Sequence, residues 1–300
     1  MRTRARHDLA GVEPAPPSGR EPCPAYPPVS ILQPSGREPV PGILAVMRLL
    51  LADLSPAAGL PQLGSALEDA TLASLYAVPA GPTGWLRANV VSSLDGAAAG
   101  PDGRTRSINT EADHVVFEML RALSDVVLLG AGTARVEGYT GLGVSGRWAA
   151  VRAARGLGPV LPLVIVTRRG GVPPSAAAGA RDAGPVLLIT CASAPGLAAA
   201  RDLLGAENVL VCGDAEVDLV TALAEMHRRG WHRVLTEGGP HLLGSLLCAG
   251  LVDEVCLSIA PRLCSGVGLR VAAGPALDVG FVPRVLVEED GTLMGRWFRR

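Results

Sequence analysis

Aromatic residues are scarce in this chain: Phe, Trp and Tyr make up 3% of its 300 positions. A surface that stacks single-stranded bases needs rows of such rings, so that class of protein is excluded. Neither sign of charge is in excess. Against 28 Asp and Glu stand 27 Lys and Arg, a net charge of −1, which leaves no basic field for nucleic acid. No apolar run reaches the roughly 18 residues that a membrane-spanning helix requires. The basic start, Met1–Arg6, has no apolar stretch behind it of the kind a secretory leader carries. The cysteines, at 23, 191, 212, 248, 256 and 264, include no CxxC pair, and most sit in apolar runs as small core residues. The histidines, at 7, 114, 227, 232 and 241, form no HExxH set, so a metal is not expected. P-loop and GxSxG motifs are absent, which removes P-loop nucleotidases and elbow hydrolases. The expectation left standing is a reduced, cytoplasmic protein that binds a small molecule and neither nucleic acid nor membrane.

What the chain does have is apolar surface, 48% of its residues with a mean hydropathy of +0.32, ample for a real core. It is also rich in Gly (37) and Pro (25). Residues 1–46 concentrate Pro, Arg and Gly and repeat Pro-Ser-Gly-Arg-Glu-Pro at 17–22 and 34–39. Such a segment buries too little to offset its ordering entropy. It reads as a disordered tail, or as sequence ahead of a natural start at Met47. Residues 47–83, with an apolar segment at 49–51 and a helical pattern at 63–76, read as an N-terminal arm.

From residue 84 strands and helices alternate, which implies a largely parallel sheet covered on both faces. Expected strands are 85–92, 125–129, 161–167, 186–190, 208–212, 233–236 and 254–260, the last reading as buried with little alternation. Expected helices are 110–123, capped by Asn109 or Thr110, then 217–229 and 242–249. Residues 135–159 read as loop with one basic helix, and 284–298, broken at Asp290-Gly291, as a closing hairpin.

Two strand ends carry the chemistry. Arg233-Val-Leu-Thr-Glu237-Gly238-Gly239 feeds an apolar helical pattern through a glycine turn, which leaves the helix N-terminus bare for a phosphate. Gly130-Ala131-Gly132-Thr133 repeats the layout upstream, although its third Rossmann glycine is replaced by Arg135. The two turns read as walls of one nucleotide site. Glu237 lies where open α/β sheets place their ligands, and is either a polar anchor or a cap for the next helix. Arg121, late on the 110–123 helix, is a fork for phosphate or carboxylate, or a solvated helix-end charge. Thr105, Ser107 and Asn109 alternate along a polar stretch that either lines a pocket or is plain loop.

Taken in order, Ala88–Gly96, Leu120–Asp125, Gly130–Thr133, Thr236–Gly239, Leu251–Glu254 and Ile259–Pro261 resemble the pyrimidine reductase of riboflavin biosynthesis. That is the reductase domain of the bifunctional deaminase–reductase. The likeness spans about residues 84–300, taken as one domain, and the zinc deaminase signature is missing, so the chain resembles a stand-alone reductase. The resemblance implies a dihydrofolate-reductase-like α/β fold: a mostly parallel central sheet, helices on both faces and a C-terminal antiparallel hairpin. It implies NADPH as hydride donor, a ribosylamino-pyrimidinone 5′-phosphate reduced at ribose C1′, and a homodimer. Carried over position by position, it gives Thr105, Arg121 and Glu237 as substrate contacts, Glu237 also as the catalytic group. Ser92, Asn109, Asp113, Gly132, Thr133, Glu137, Gly239, Pro240, His241 and Leu242 become cofactor contacts.

Two departures stand out. Ser107 replaces a family Trp, and Val136-Glu-Gly-Tyr139 replaces an acidic Pro-containing stretch that helps hold the substrate phosphate, a task then open to Arg147, Arg152 or Arg155. Two other readings stay open: reduction of a pterin or dihydrofolate ring on the same fold, and an NADP-binding protein without turnover.

Overall fold

Valine and leucine runs set the centre of the molecule. A computed structural model describes residues 46–54, 60–79, 84–178, 183–266 and 268–300; the expected tail, apart from Val46, lies outside them. In chain order the elements are β1 (Arg48–Ala52), α1 (Asp69–Leu75), β2 (Trp85–Ser93), α2 (Glu111–Ala122), β3 (Val126–Gly130), α3 (Ala131–Glu137), α4 (Gly146–Ala153), β4 (Leu163–Val166), α5 (Pro174–Ala178), β5 (Val186–Thr190), α6 (Leu197–Leu204), β6 (Val209–Val211), α7 (Leu219–Arg228), β7 (Arg233–Thr236), α8 (Pro240–Cys248), β8 (Glu254–Ala260), β9 (Phe281–Glu289) and β10 (Thr292–Arg299). They build one sheet in the order β1-β9-β10-β8-β2-β7-β3-β4-β5-β6. From β8 to β6 every pairing is parallel. The β1–β9–β10 edge is antiparallel, and β10 joins it to β8.

Central strands such as β3 (Val-Val-Leu-Leu-Gly) are apolar throughout because both faces are covered. Alternate residues enter opposite cores. Val127 and Leu129 face α1–α6, while Val126 and Leu128 face α7 and α8. The described residues form one compact unit, and residues 47–83 contribute to it. Their leucines form β1, which pairs with β9, and Leu72, Leu75 and Tyr76 from α1 and its end are buried.

Several expectations move. β8 alternates strictly between buried and half-buried, so one of its faces is less covered than the other. Within 135–159 the expected basic helix is α4, but the end of α3 also reaches into that stretch, and α6 occupies one with no expected helix. At the hairpin, Asp290 and Gly291 both take positive φ (49° and 76°), the left-handed pair that a two-residue turn needs to match strand twist.

Candidate active site

The two glycine corners touch. The Gly130 N–H donates to the Gly238 carbonyl at 2.8 Å, and the Glu237 N–H to the Leu128 carbonyl at 3.2 Å, so the end of β7 is stitched to β3. A Cβ on Gly239 would overlap the Thr133 hydroxyl, so only glycine lets the corners close to this distance. The Gly238–Gly239 peptide is cis. Together the corners wall a cleft of about 1410 Å³ at the carboxyl ends of β3, β4 and β7. It is larger than a pocket for a single small ligand, for which about 300–1,000 Å³ is usual. A second depression, about 320 Å³, lies between β6 and α7, away from every expected site residue.

Glu237 closes the floor. Its carboxylate accepts from Arg121 Nε at 2.6 Å and Nη2 at 2.8 Å, and from the Tyr139 hydroxyl at 2.6 Å. Helix α8 takes Gly239 as its N-cap, with no side-chain cap, so the helix-capping reading of Glu237 is wrong. Arg121 is no solvated charge either: its side chain is 18% exposed and lies 4.1 Å from the Phe117 ring centre. Burial works against the guanidinium charge, but the adjacent carboxylate outweighs it and holds the Arg121 pKa above its ordinary value. Burial, reinforced by Glu237, likewise raises the Tyr139 phenol well above its usual range, so it stays a donor.

Thr105, Asn109 and Asp113 line the same cleft. Residues 105–107 form a single 3-10 turn rather than an extended stretch. The Thr105 N–H meets Glu137 Oε1 at 3.3 Å, which joins this loop to the end of α3. Ser107 bonds Asp102 and the Arg104 carbonyl within its own turn. Thr110, not Asn109, caps α2 by accepting the Asp113 N–H at 3.1 Å. That leaves Asn109 Oδ1 buried with no partner, as is Asn89 Oδ1 on β2, another cleft residue. An orphaned buried acceptor costs about 1–3 kcal/mol, so two in one cleft call for a ligand that brings donors.

Gly132, Thr133 and Glu137 line the first corner and Gly239, Pro240, His241 and Leu242 the second. Ser92 does not reach the cleft: it is 7% exposed and paired with Ile259 in the sheet. The three arginines expected to replace the phosphate loop are engaged elsewhere. Arg147 pairs with Asp69, Arg152 donates to carbonyls at the end of α2, and Arg155 donates to Val151 and Ala73 carbonyls. The cleft's arginines are instead Arg106, Arg121, Arg135, Arg168 and Arg169. Sequence reading also missed Tyr139 and Phe117. The available signal was their type: a polar aromatic and a ring near Arg121 in a chain with three Tyr and three Phe.

Residues 84–279 match the family model of the RibD C-terminal domain. The chain belongs to that family. It is 31% identical over 173 residues to the 2,5-diamino-6-ribosylamino-4(3H)-pyrimidinone 5′-phosphate reductase of Archaeoglobus fulgidus, covering 58% of this chain and 78% of that protein. To the protein of the same name from Methanothermobacter thermautotrophicus it is 34% identical over 173 residues, covering 58% and 76%. The crystal structure of a pyrimidine reductase-like protein from Corynebacterium diphtheriae shares the fold with a TM-score of 0.65 at 22% identity, over 74% of this chain and 96% of that one. The α/β architecture implied by the resemblance, with its parallel sheet and closing hairpin, is thus the one the family uses.

Proposed function

We propose that this chain is the pyrimidine reductase of riboflavin biosynthesis, reducing a ribosylamino-pyrimidinone 5′-phosphate to its ribityl form with NADPH. The observation that carries the reading is the cleft itself: two touching glycine corners over a floor of Arg121, Glu237 and Tyr139. The family and the two reductases above supply the substrate class.

The residues present fit a dinucleotide. The uncapped N-terminus of α8 leaves backbone N–H groups for a phosphate, and the exposed Gly132 leaves the first corner open. Arg168 and Arg169, just past β4, bring positive charge to the same cleft, which favours NADPH with its extra phosphate over NADH. When bound, the cofactor supplies the hydride. The chain's own part is to hold the pyrimidine and exclude water. Arg121, fixed by Glu237 and stacked on Phe117, presents a rigid fork to the ring or its phosphate, and Asn89 and Asn109 accept hydrogen bonds from amide or amino groups.

The reading extends to a homodimer in the cytoplasm; the exposed leucines 94 and 263, in segments joined by the Leu94 N–H donating to the Arg262 carbonyl, support an apolar contact. The test is NADPH oxidation by the purified protein with the ribosylamino-pyrimidinone phosphate and, separately, with dihydrofolate. Turnover on the first alone is expected. Turnover on dihydrofolate alone, or tight NADPH binding with none on either, replaces this reading with one of its rivals.

A further inference from the structure

The reduction proposed above, on which this inference rests, consumes a proton as well as a hydride. The C1′–O4′ bond of the sugar breaks, C1′ gains the hydride, and O4′ takes up one proton to become a hydroxyl. A group in the cleft must deliver that proton.

Besides its arginines, six residues lining the cleft carry an acidic or basic side chain: Asp113, Glu137, Tyr139, Glu216, Glu237 and His241. Five are committed or open to water. Glu237 is occupied by Arg121 and Tyr139, and the Tyr139 proton is already donated to it. Glu137 accepts the Thr105 N–H, the 72%-exposed Glu216 pairs with Arg168, and His241 is exposed. Asp113 differs: it is 3% exposed and forms no salt bridge among the described residues. It enters the cleft from the first turn of α2, with Asn89 and Asn109 also in the wall.

We propose that Asp113 is the proton donor of this site, transferring its carboxyl proton to the sugar ring oxygen as C1′–O4′ opens and recovering it from solvent. Its surroundings suit the task. Burial raises its pKa, and the Ser258 hydroxyl and the His114 charge offset this only in part. The groups around it are Ser258 on β8, Asn89 on β2, His114 and Thr110 on α2 and its cap, and Thr292 on β10 behind Thr110. His114, the one basic group among them, is 61% exposed and lies 3.6 Å from Glu118.

The test is the isosteric Asp113→Asn variant of the full chain, with Ser258→Ala as a second probe. For Asp113→Asn we expect kcat to fall by about 100-fold or more, with NADPH Kd within about threefold, since on this assignment Asp113 serves the sugar and not, as the resemblance implies, the cofactor, and a general acid contributes little to ground-state binding. Wild-type kcat should decline as pH rises through the raised Asp113 pKa, and Asp113→Asn should lack that limb. Ser258→Ala, which removes a hydroxyl that favours the ionised form, should move the limb to higher pH.

Two readouts need no substrate. A protonated-carboxyl infrared band present in the wild type should vanish in Asp113→Asn. The variant should also gain stability relative to wild type as pH rises, because a carboxyl with a raised folded pKa contributes stability that is full below its unfolded value and lost as pH rises through the folded one. A variant with near-wild-type kcat, or one that loses only NADPH affinity, overturns the assignment, as does absence of the band. If the wild type is inert towards the pyrimidine, the proposed function falls, and the infrared and stability readouts decide on Asp113 separately.

Discussion

Glu254 and Glu237 each close an arginine cluster beside a strand of the same parallel sheet, but at opposite ends of it. Glu254 opens β8, at the amino end. Its two oxygens accept from Arg87, Arg296 and the Trp85 indole at 2.7–3.1 Å. Further guanidinium donors, Arg87 Nη2 and Arg296 Nη1 and Nη2, go to the carbonyls of Leu75, Tyr76 and Ala77, the orphan groups at the end of α1. Every charge there is 0–2% exposed, and no member lines the cleft. Glu237 follows β7, at the carboxyl end. It has one arginine instead of two, that arginine is 18% exposed, and its Nη1 has no protein partner among the described residues. The amino-end cluster is shut off from solvent and from the cleft and holds α1 to the sheet. The carboxyl-end cluster is left with donor capacity facing a cavity, which is where open α/β sheets bind their ligands.

Glutamine at each position sharpens this contrast. Glu254→Gln leaves two buried guanidiniums without a counter-charge, and removal of one partner from such a network costs about 3–5 kcal/mol. Urea unfolding should show the loss directly. The pH dependence follows from the direction of the shift. Burial alone would raise the Glu254 carboxyl, but Arg87 and Arg296 outweigh it and hold it below its usual value. Its contribution is therefore complete above the unfolded-state value and is lost as pH falls through the depressed folded one, so the variant's stability should fall less steeply in acid.

Glu237→Gln should behave in the opposite sense. One partly exposed arginine loses its counter-charge, and charged hydrogen bonds are worth about 1.5–3 kcal/mol, so the stability loss is the smaller of the two. Turnover should drop by about 100-fold while NADPH affinity stays within a few-fold. If stability falls as far as in Glu254→Gln with turnover per folded molecule intact, the two clusters do the same work and the contrast is broken.

Much of the sheet was legible in the sequence, and the reason is burial. Val-Val-Leu-Leu at 126–129 and Leu-Val-Ile-Val at 163–166 are covered on both faces, so no periodicity was needed to read them. Helix α2 announced itself through its cap and stripe. Helices α3 and α6 did not: each hides little apolar surface, Ala131 and Ala134 in one and Ala200 in the other, so their exposed residues resemble loop. Leu49–Leu51 gave no alternation that would mark an edge strand, although β1 forms there. The candidate site was legible one residue at a time. Glu237 and Arg121 each stood out, yet they are 116 positions apart, and Tyr139 is 98 from Glu237. Local pattern carries no information on which side chains such separations bring together. For the same reason the sequence offered Arg147, Arg152 and Arg155 as equals to the arginines that do line the cleft.

The smallest expected effect tests the glycine corners, and here the choice of glycine decides whether the result can be interpreted. Gly239→Ala would drive a Cβ into Thr133, so any loss of NADPH binding would be confounded by damage to the free protein. A Cβ at Gly132 meets nothing within 4 Å. Its backbone is helical, on the second residue of α3, where alanine is favoured over glycine by up to about 1 kcal/mol. Gly132→Ala should therefore leave the Tm unchanged or slightly raised. If a dinucleotide backbone runs against this corner, the added methyl group occupies its space, and NADPH Kd should rise by about tenfold, or 1.4 kcal/mol. Titration of the variant by cofactor fluorescence measures this. A Kd equal to that of the wild type would mean that the cofactor passes the first corner without touching it, and that the two corners, though in contact with each other, do not share a ligand.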